Sequence, residues 1–242
     1  MKMFLLFSFF FSATAMAGDF AKQVNVDASA VRASHPDLAG KVDAMKPVPN
    51  RAGKLFFPGS QWTEPNAQLL IQDRLLSAKD DLDVRVALAY ALTAEYRLPW
   101  SEIATQEEAV RVALLANYKK TGSSVLLLAL SDESPLVRAE AARLSGYQED
   151  ASGLDVALIR LLSDDSVDIR RSSVRSLGWL EVKEAYPGIR RLLTDTDAGI
   201  RHASLRALGN IDPEQTRALP ELEQLKLDAD PAVARKATSL QR

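Results

Sequence analysis

The chain has 242 residues, 47% of them hydrophobic and 26% charged. That mixture is globular: it can bury a core and is too apolar for a disordered tail. Its 30 Lys and Arg nearly balance 32 Asp and Glu, which excludes both a chain-wide basic surface for nucleic acid and an acidic solvating tail, so charged recognition has to come from local patterning.

Residues 1–17 read MKMFLLFSFFFSATAMA. One basic residue, Lys2, precedes an apolar run from Met3 to Phe11 and a small-residue end, Ala15-Met16-Ala17. This is the pattern of a cleaved secretory signal, with the cut expected after Ala17. The run is shorter than the roughly 20 apolar residues a membrane span needs; the alternative is an uncleaved anchor. The expected product is periplasmic or secreted, without an integral membrane span. The chain has no Cys, so neither disulfides, thiolate metal sites nor Cys nucleophiles are available to it.

Residues 18–64 show no helical period. Pro36, Pro47, Pro49 and Pro58, with Gly40, Gly53 and Gly59, interrupt any long helix, and the segment reads as an irregular leader with one short helix near Asp37 to Met45. Phe56, Phe57 and Trp62 are expected to cover the open end of the downstream helices as an N-terminal cap; the alternative is a ligand or partner site.

From residue 65 to 242 the chain repeats itself. Ser131 to Gly146, Ser163 to Gly178 and Thr194 to Gly209 align without gaps, with Arg138, Arg170 and Arg201 in register 32 and 31 residues apart. A degenerate copy from Leu227 to Leu240 has Ala234 in the Arg slot, and sequences around Arg85 and Arg111 are earlier, divergent copies. Each unit predicts two helices joined by a turn. In the third, Ile189, Leu192 and Leu193 carry the helical spacing of a first helix, and Ile200, Ala203, Leu205 and Leu208 that of a second. Gly146, Gly178 and Gly209 are expected to stop the second helices. Asp81, Ser134, Ser166, Asp197 and Asp230, four residues before each Arg slot, are expected N-caps.

The pattern D-x-x-x-x-[VI]-R-x-x-[AS]-x-x-x-L-G at this spacing resembles HEAT repeats, in particular the short type of the phycobilin lyases. The resemblance covers residues 65–240 and implies an all-α, right-handed solenoid of about six antiparallel helix pairs, with the second helices lining the concave face. It also implies a ladder of Asp132, Asp164 and Asp195 with Arg138, Arg170 and Arg201, ending at the last unit, where Asp228 remains but Ala234 cannot pair.

Catalytic signals are missing from the sequence. The two histidines, His35 and His202, lack the His-Glu pairs of di-iron HEAT proteins, and there is no H-E-x-x-H, P-loop or G-x-S-x-G. No metal or cofactor is expected. The acidic pairs Asp80-Asp81, Asp132-Glu133 and Asp164-Asp165 recur at turns, where capping and the ladder account for them.

One pattern remains. The positions one and five after the Arg slot share a helix face, and they hold Arg171, His202 and Arg235, and Arg143, Arg175 and Arg206. On a concave face these six form a basic stripe suited to an anionic partner; the alternative is a solvated face copied by repeat duplication. The expected function is a non-enzymatic scaffold binding a protein with an acidic surface, or an anionic envelope polymer, and not nucleic acid. The alternatives are an enzyme or enzyme accessory resembling lyase-type HEAT proteins, centred near Pro99-Trp100-Ser101 with Glu95 or Glu102, and a purely structural spacer.

Overall fold

The computed structural model describes residues 28–241 except 54, 59 and 120. The expected signal, residues 1–17, lies outside the described residues. Among the described residues the regular structure is helical, apart from one hairpin of β1 (Val48–Pro49) and β2 (Leu55–Phe56).

Two helices come first, α1 (Ala28–Ser34) and α2 (Pro36–Asp43). The segment read as irregular with a single short helix therefore holds two α-helices among its described residues. Such short helices are marginal alone, and tertiary contacts hold them. Val31, Ala39, Val42 and Met45 are buried. Arg32 donates to Asp43 at 2.8 Å and to Asp73 at 3.0 Å, the latter on α3 (Pro65–Leu76), and Arg74 of α3 reaches the carbonyls of Val42 at 2.5 Å and Met45 at 3.2 Å. Phe57 and Trp62 pack against the core, while Phe56 stays exposed.

Helix pairs then succeed one another. The first is α3 with α4 (Leu82–Ala91), followed by α5 (Trp100–Ile103) with α6 (Glu108–Leu115) and α7 (Ser123–Ala129) with α8 (Pro135–Ser145). After them come α9 (Leu154–Arg160) with α10 (Val167–Trp179) and α11 (Tyr186–Arg191) with α12 (Ala198–Ile211). The short α13 (Pro213–Arg217) leads into the last pair, α14 (Glu221–Leu225) with α15 (Pro231–Leu240). The second helices stack in one row, α4 on α6, α6 on α8, α8 on α10, α10 on α12 and α12 on α15. Each buries one apolar stripe, such as Ile169, Val174 and Leu177 in α10, against its own partner and both neighbours. That is a repeat solenoid, stabilised unit by unit through nearest-neighbour interfaces.

Helix starts follow capping chemistry. Asp81, Ser134, Ser166, Asp197 and Asp230 are the N-cap residues of the second helices. Ser134, Asp197 and Asp230 accept first-turn amides through their side chains, and Pro135 and Pro231 occupy the first turn, where a missing N–H leaves no bond broken.

The repeated glycines do something other than stop helices. Gly146 does cap α8, but Gly178 lies inside α10 and Gly209 inside α12. A Cβ on Gly178 would stand 2.6 Å from the Cβ and 2.7 Å from the Cα of Ala207 on the next helix, and one on Gly209 would stand 2.8 Å from a Leu240 methyl. The glycines set how closely successive units approach.

Candidate functional site

The ladder residues fall into one repeated arrangement at the turns. Arg170 donates through Nη1 to the carbonyls of Asp164 at 2.8 Å and Asp165 at 3.0 Å in its own turn, and through Nε to Asp195 of the following unit at 3.0 Å. Arg138 holds its own turn the same way and reaches Asp164 at 3.5 Å. Arg201 pairs with Asp228 at 2.8 Å through both Nε and Nη2. Each of these Asp side chains also accepts the amide two residues on, as Asp195 does from Asp197 at 2.8 Å, so a single carboxylate shapes its turn and binds the previous unit. The series continues upstream, with Arg111 on Asp132 at 2.9 Å and Arg85 on Glu107 at 2.5 Å. Hydrogen bonding from Arg201 keeps the Asp228 carboxyl below the usual carboxylate range. For Asp195, burial acts upward but the Asp197 amide and Arg170 outweigh it, and its pKa is lowered as well. These residues hold units together and present no open coordination.

The basic residues occupy the other surface of the second helices. Arg171, Arg175, His202 and Arg206 come together as the walls of a cleft of about 300 Å³ between α10 and α12. Gly178, Trp179, Gly199, Ala203, Ala207 and Asn210 complete the lining, which contains no carboxylate. The helices approach closely at Gly178, and the long side chains one and five residues after Arg170 and Arg201 line the cleft between them.

Pairing within the protein distinguishes these cations. Arg171 is tied to Asp168. Among the described residues Arg175 and Arg206 make no ion pair, and the Arg175 guanidinium sits 5.3 Å above the Trp179 ring, a cation–π contact that orients it. Burial first, then Arg206 and Lys236, holds the His202 imidazole below its ordinary pKa. Arg235, on α15, acts on His202 through its charge but does not line the cleft. Arg143 stands apart as well, paired with Glu140 at 2.6 Å. It reaches the others only through rings: Arg143 lies 5.9 Å from Tyr147, whose ring is 5.1 Å from that of Trp179. Four of the six residues therefore line one cleft, with two outliers and no even stripe.

Two further cations lie outside the repeated register, where the sequence pattern does not mark them. Lys119 lies 5.0 Å from the centroid of the Tyr147 ring, and Lys236 of α15 is close enough to Arg206 for its own pKa to fall, burial being the larger cause. Acidic side chains gather elsewhere: Glu149, Asp150, Asp155, Glu181 and Glu184 line a second cleft, of about 500 Å³, between the loops after α8 and α10. Glu95 and Glu102, the carboxylates of the enzyme alternative, are both exposed. No cluster of His, Asp and Glu able to hold a metal ion occurs among the described residues, and no helix among them is long and apolar enough to cross a membrane.

Comparison with known proteins agrees with this architecture. No curated protein matches the chain. Among solved structures it is similar to a designed armadillo repeat protein in complex with the peptide (KR)4, at 17% identity and a TM-score of 0.51, over 85% of this chain and 97% of the other. Two further designed armadillo repeat proteins align with TM-scores of 0.49 and 0.47 at 17% and 18% identity, covering 85% and 88% of this chain and 97% and 91% of theirs. A family model for HEAT repeats matches residues 123–187 and again residues 154–241. With its paired helices, stacked second helices and repeated Arg–Asp contacts, the chain over residues 123–241 belongs to the HEAT-repeat family.

Proposed function

We propose that the protein is an exported, non-enzymatic scaffold that binds an acidic polypeptide segment along its row of second helices, centred on the cleft between α10 and α12. The observation that carries this reading is a cleft walled by Arg171, Arg175, His202 and Arg206 with no carboxylate in its lining. Arginine forks suit bidentate contact with carboxylates, and a groove of one sign on a protein near neutrality overall focuses its field on an oppositely charged ligand. The exposed pair Tyr147 and Trp179 adds rigid aromatic area at one end. Peptide binding has a precedent in the fold: the designed armadillo protein carries a basic peptide, and this chain offers the opposite charge.

The test is binding of a fluorescent octa-aspartate peptide, with octa-lysine as control. Arg175→Glu/Arg206→Glu is expected to weaken octa-aspartate binding about 10- to 100-fold, and added salt to weaken the wild type in the same direction. Arg143→Glu should change it by less than about threefold, because Glu140 already neutralises Arg143. Equal binding by the double variant, or none by the wild type, overturns the reading. Export is tested separately by N-terminal sequencing of the product, expected to begin at Gly18.

A further inference from the structure

His202 is the one titratable group in a wall otherwise made of arginine. It is partly buried, and among the described residues its imidazole has no hydrogen-bond partner, so both ring nitrogens remain available to whatever enters. The charged groups acting on it are Arg206 on α12 and Lys236 and Arg235 on α15, with Asp230 at the start of α15 as the opposing carboxylate; Arg171 and Arg175 of α10 line the same cleft. In the empty cleft burial first, and then this surplus of positive charge, makes a further proton unfavourable.

Building on the proposed acidic partner, we propose that the α10–α12 cleft is a proton-coupled anion site, in which a bound carboxylate brings a proton onto His202 and the partner is held more tightly as pH falls. The coupling has a direct electrostatic cause. An entering carboxylate cancels the repulsion from the surrounding arginines and accepts a hydrogen bond from the imidazolium, so the charged imidazole becomes the favoured form. By linkage, a group whose proton is held more firmly in the bound state makes binding stronger below its bound-state pKa, and the gain is lost as pH rises through that value. Arginine supplies the constant part of the attraction and His202 the part that titrates.

The experiment is octa-aspartate binding at pH 5.5, 6.5 and 7.5 at constant ionic strength, using wild type, His202→Asn and His202→Lys, each checked for helicity by circular dichroism at every pH. Wild-type affinity is expected to rise about three- to tenfold from pH 7.5 to 5.5, the range that one histidine's titration supplies. His202→Asn should bind without that rise, and His202→Lys should bind tightly throughout. Protonation of the peptide itself is common to all three proteins and cancels. A second readout does not depend on variant folding: with only two histidines in the chain, proton NMR follows the His202 imidazole directly, using His35→Gln for assignment, and its pKa should rise when peptide is added. A wild-type affinity independent of pH, a rise that persists in His202→Asn, or an imidazole pKa unmoved by peptide overturns the coupling while the arginine-dependent binding still stands. Failure of the wild type to bind at any pH overturns both.

Discussion

Asp132→Ala is expected to destabilise the protein by about 3–5 kcal/mol, the range for breaking a buried ion pair from one side. Asp132 and Arg111 form the most enclosed of the inter-unit pairs, with side chains 6% and 9% exposed and a separation of 2.9 Å. Removing the carboxylate leaves a buried guanidinium whose Nε already lacks a partner and whose remaining bond is from Nη1 to the Gln106 carbonyl at 2.9 Å. Glu133 offers little compensation, standing 3.7 Å away and 89% exposed. The same substitution also removes the acceptor for the Ser134 amide at 2.7 Å, which shapes the turn into α8. Asp132→Asn separates the two roles, since its amide oxygen still accepts from Ser134 but carries no charge for Arg111. Urea unfolding should therefore rank wild type above Asn and Asn above Ala. A loss below about 1 kcal/mol for Ala would mean that the pair is as dispensable as an exposed surface bridge.

The second large effect is expected at Leu177. This residue is wholly buried on α10, a helix that packs on α8 before it and on α12 after it. Leu177→Ala removes buried methyl groups at a site clamped from both sides, where closure at Gly178 already brings α10 and α12 to their limit. The cavity has little means of collapsing, and the expected cost is about 2–5 kcal/mol. Trp179, two residues away, is the fluorescent reporter in a background with Trp62 and Trp100 replaced by Phe. Because a solenoid's stability is a sum of unit and interface terms, the loss should appear in the transition followed at Trp179 and in the helical signal of the C-terminal units. A change of less than about 1 kcal/mol would require that the neighbouring helices repack into the space.

Both effects depend on residues whose positions the repeat makes visible and whose partners it does not. Arg111 is recognisable as a divergent copy of the Arg slot, yet the ladder read from the three strong units omits it. Its contact with Asp132 becomes evident only when the units are stacked. Similarly, the glycines at 146, 178 and 209 read as helix stops because each ends a block of similarity. In space Gly178 and Gly209 lie within their helices, and the restriction comes from Ala207 and Leu240 on the next one. A missing side chain has the same appearance in sequence whether the reason is local backbone conformation or the approach of a neighbour.

The cleft shows the same division. Arg143, Arg175 and Arg206 are equivalent by register, but Glu140 lies one helical turn before Arg143 and pairs with it. That contact is legible from the i to i+3 spacing, whereas Lys119 and Lys236 are hidden because they enter from outside the repeated positions. The leader offers a further case: α2 is legible as the short helix near Asp37 to Met45, whereas α1 is too short to declare itself, and Arg32, shared between Asp43 and Asp73, supplies the long-range contact that holds it.

The sequence by itself determined the all-α repeat, its N-caps, and the face on which basic residues recur, because those depend on periodicity and on contacts within one helical turn. Only the tertiary structure decided which unit each ladder Asp serves, which cations remain unpaired, and that Arg171, Arg175, His202 and Arg206 surround one cleft. Those outcomes depend on distances between helices, which are set by the side chains of neighbouring units meeting across an interface.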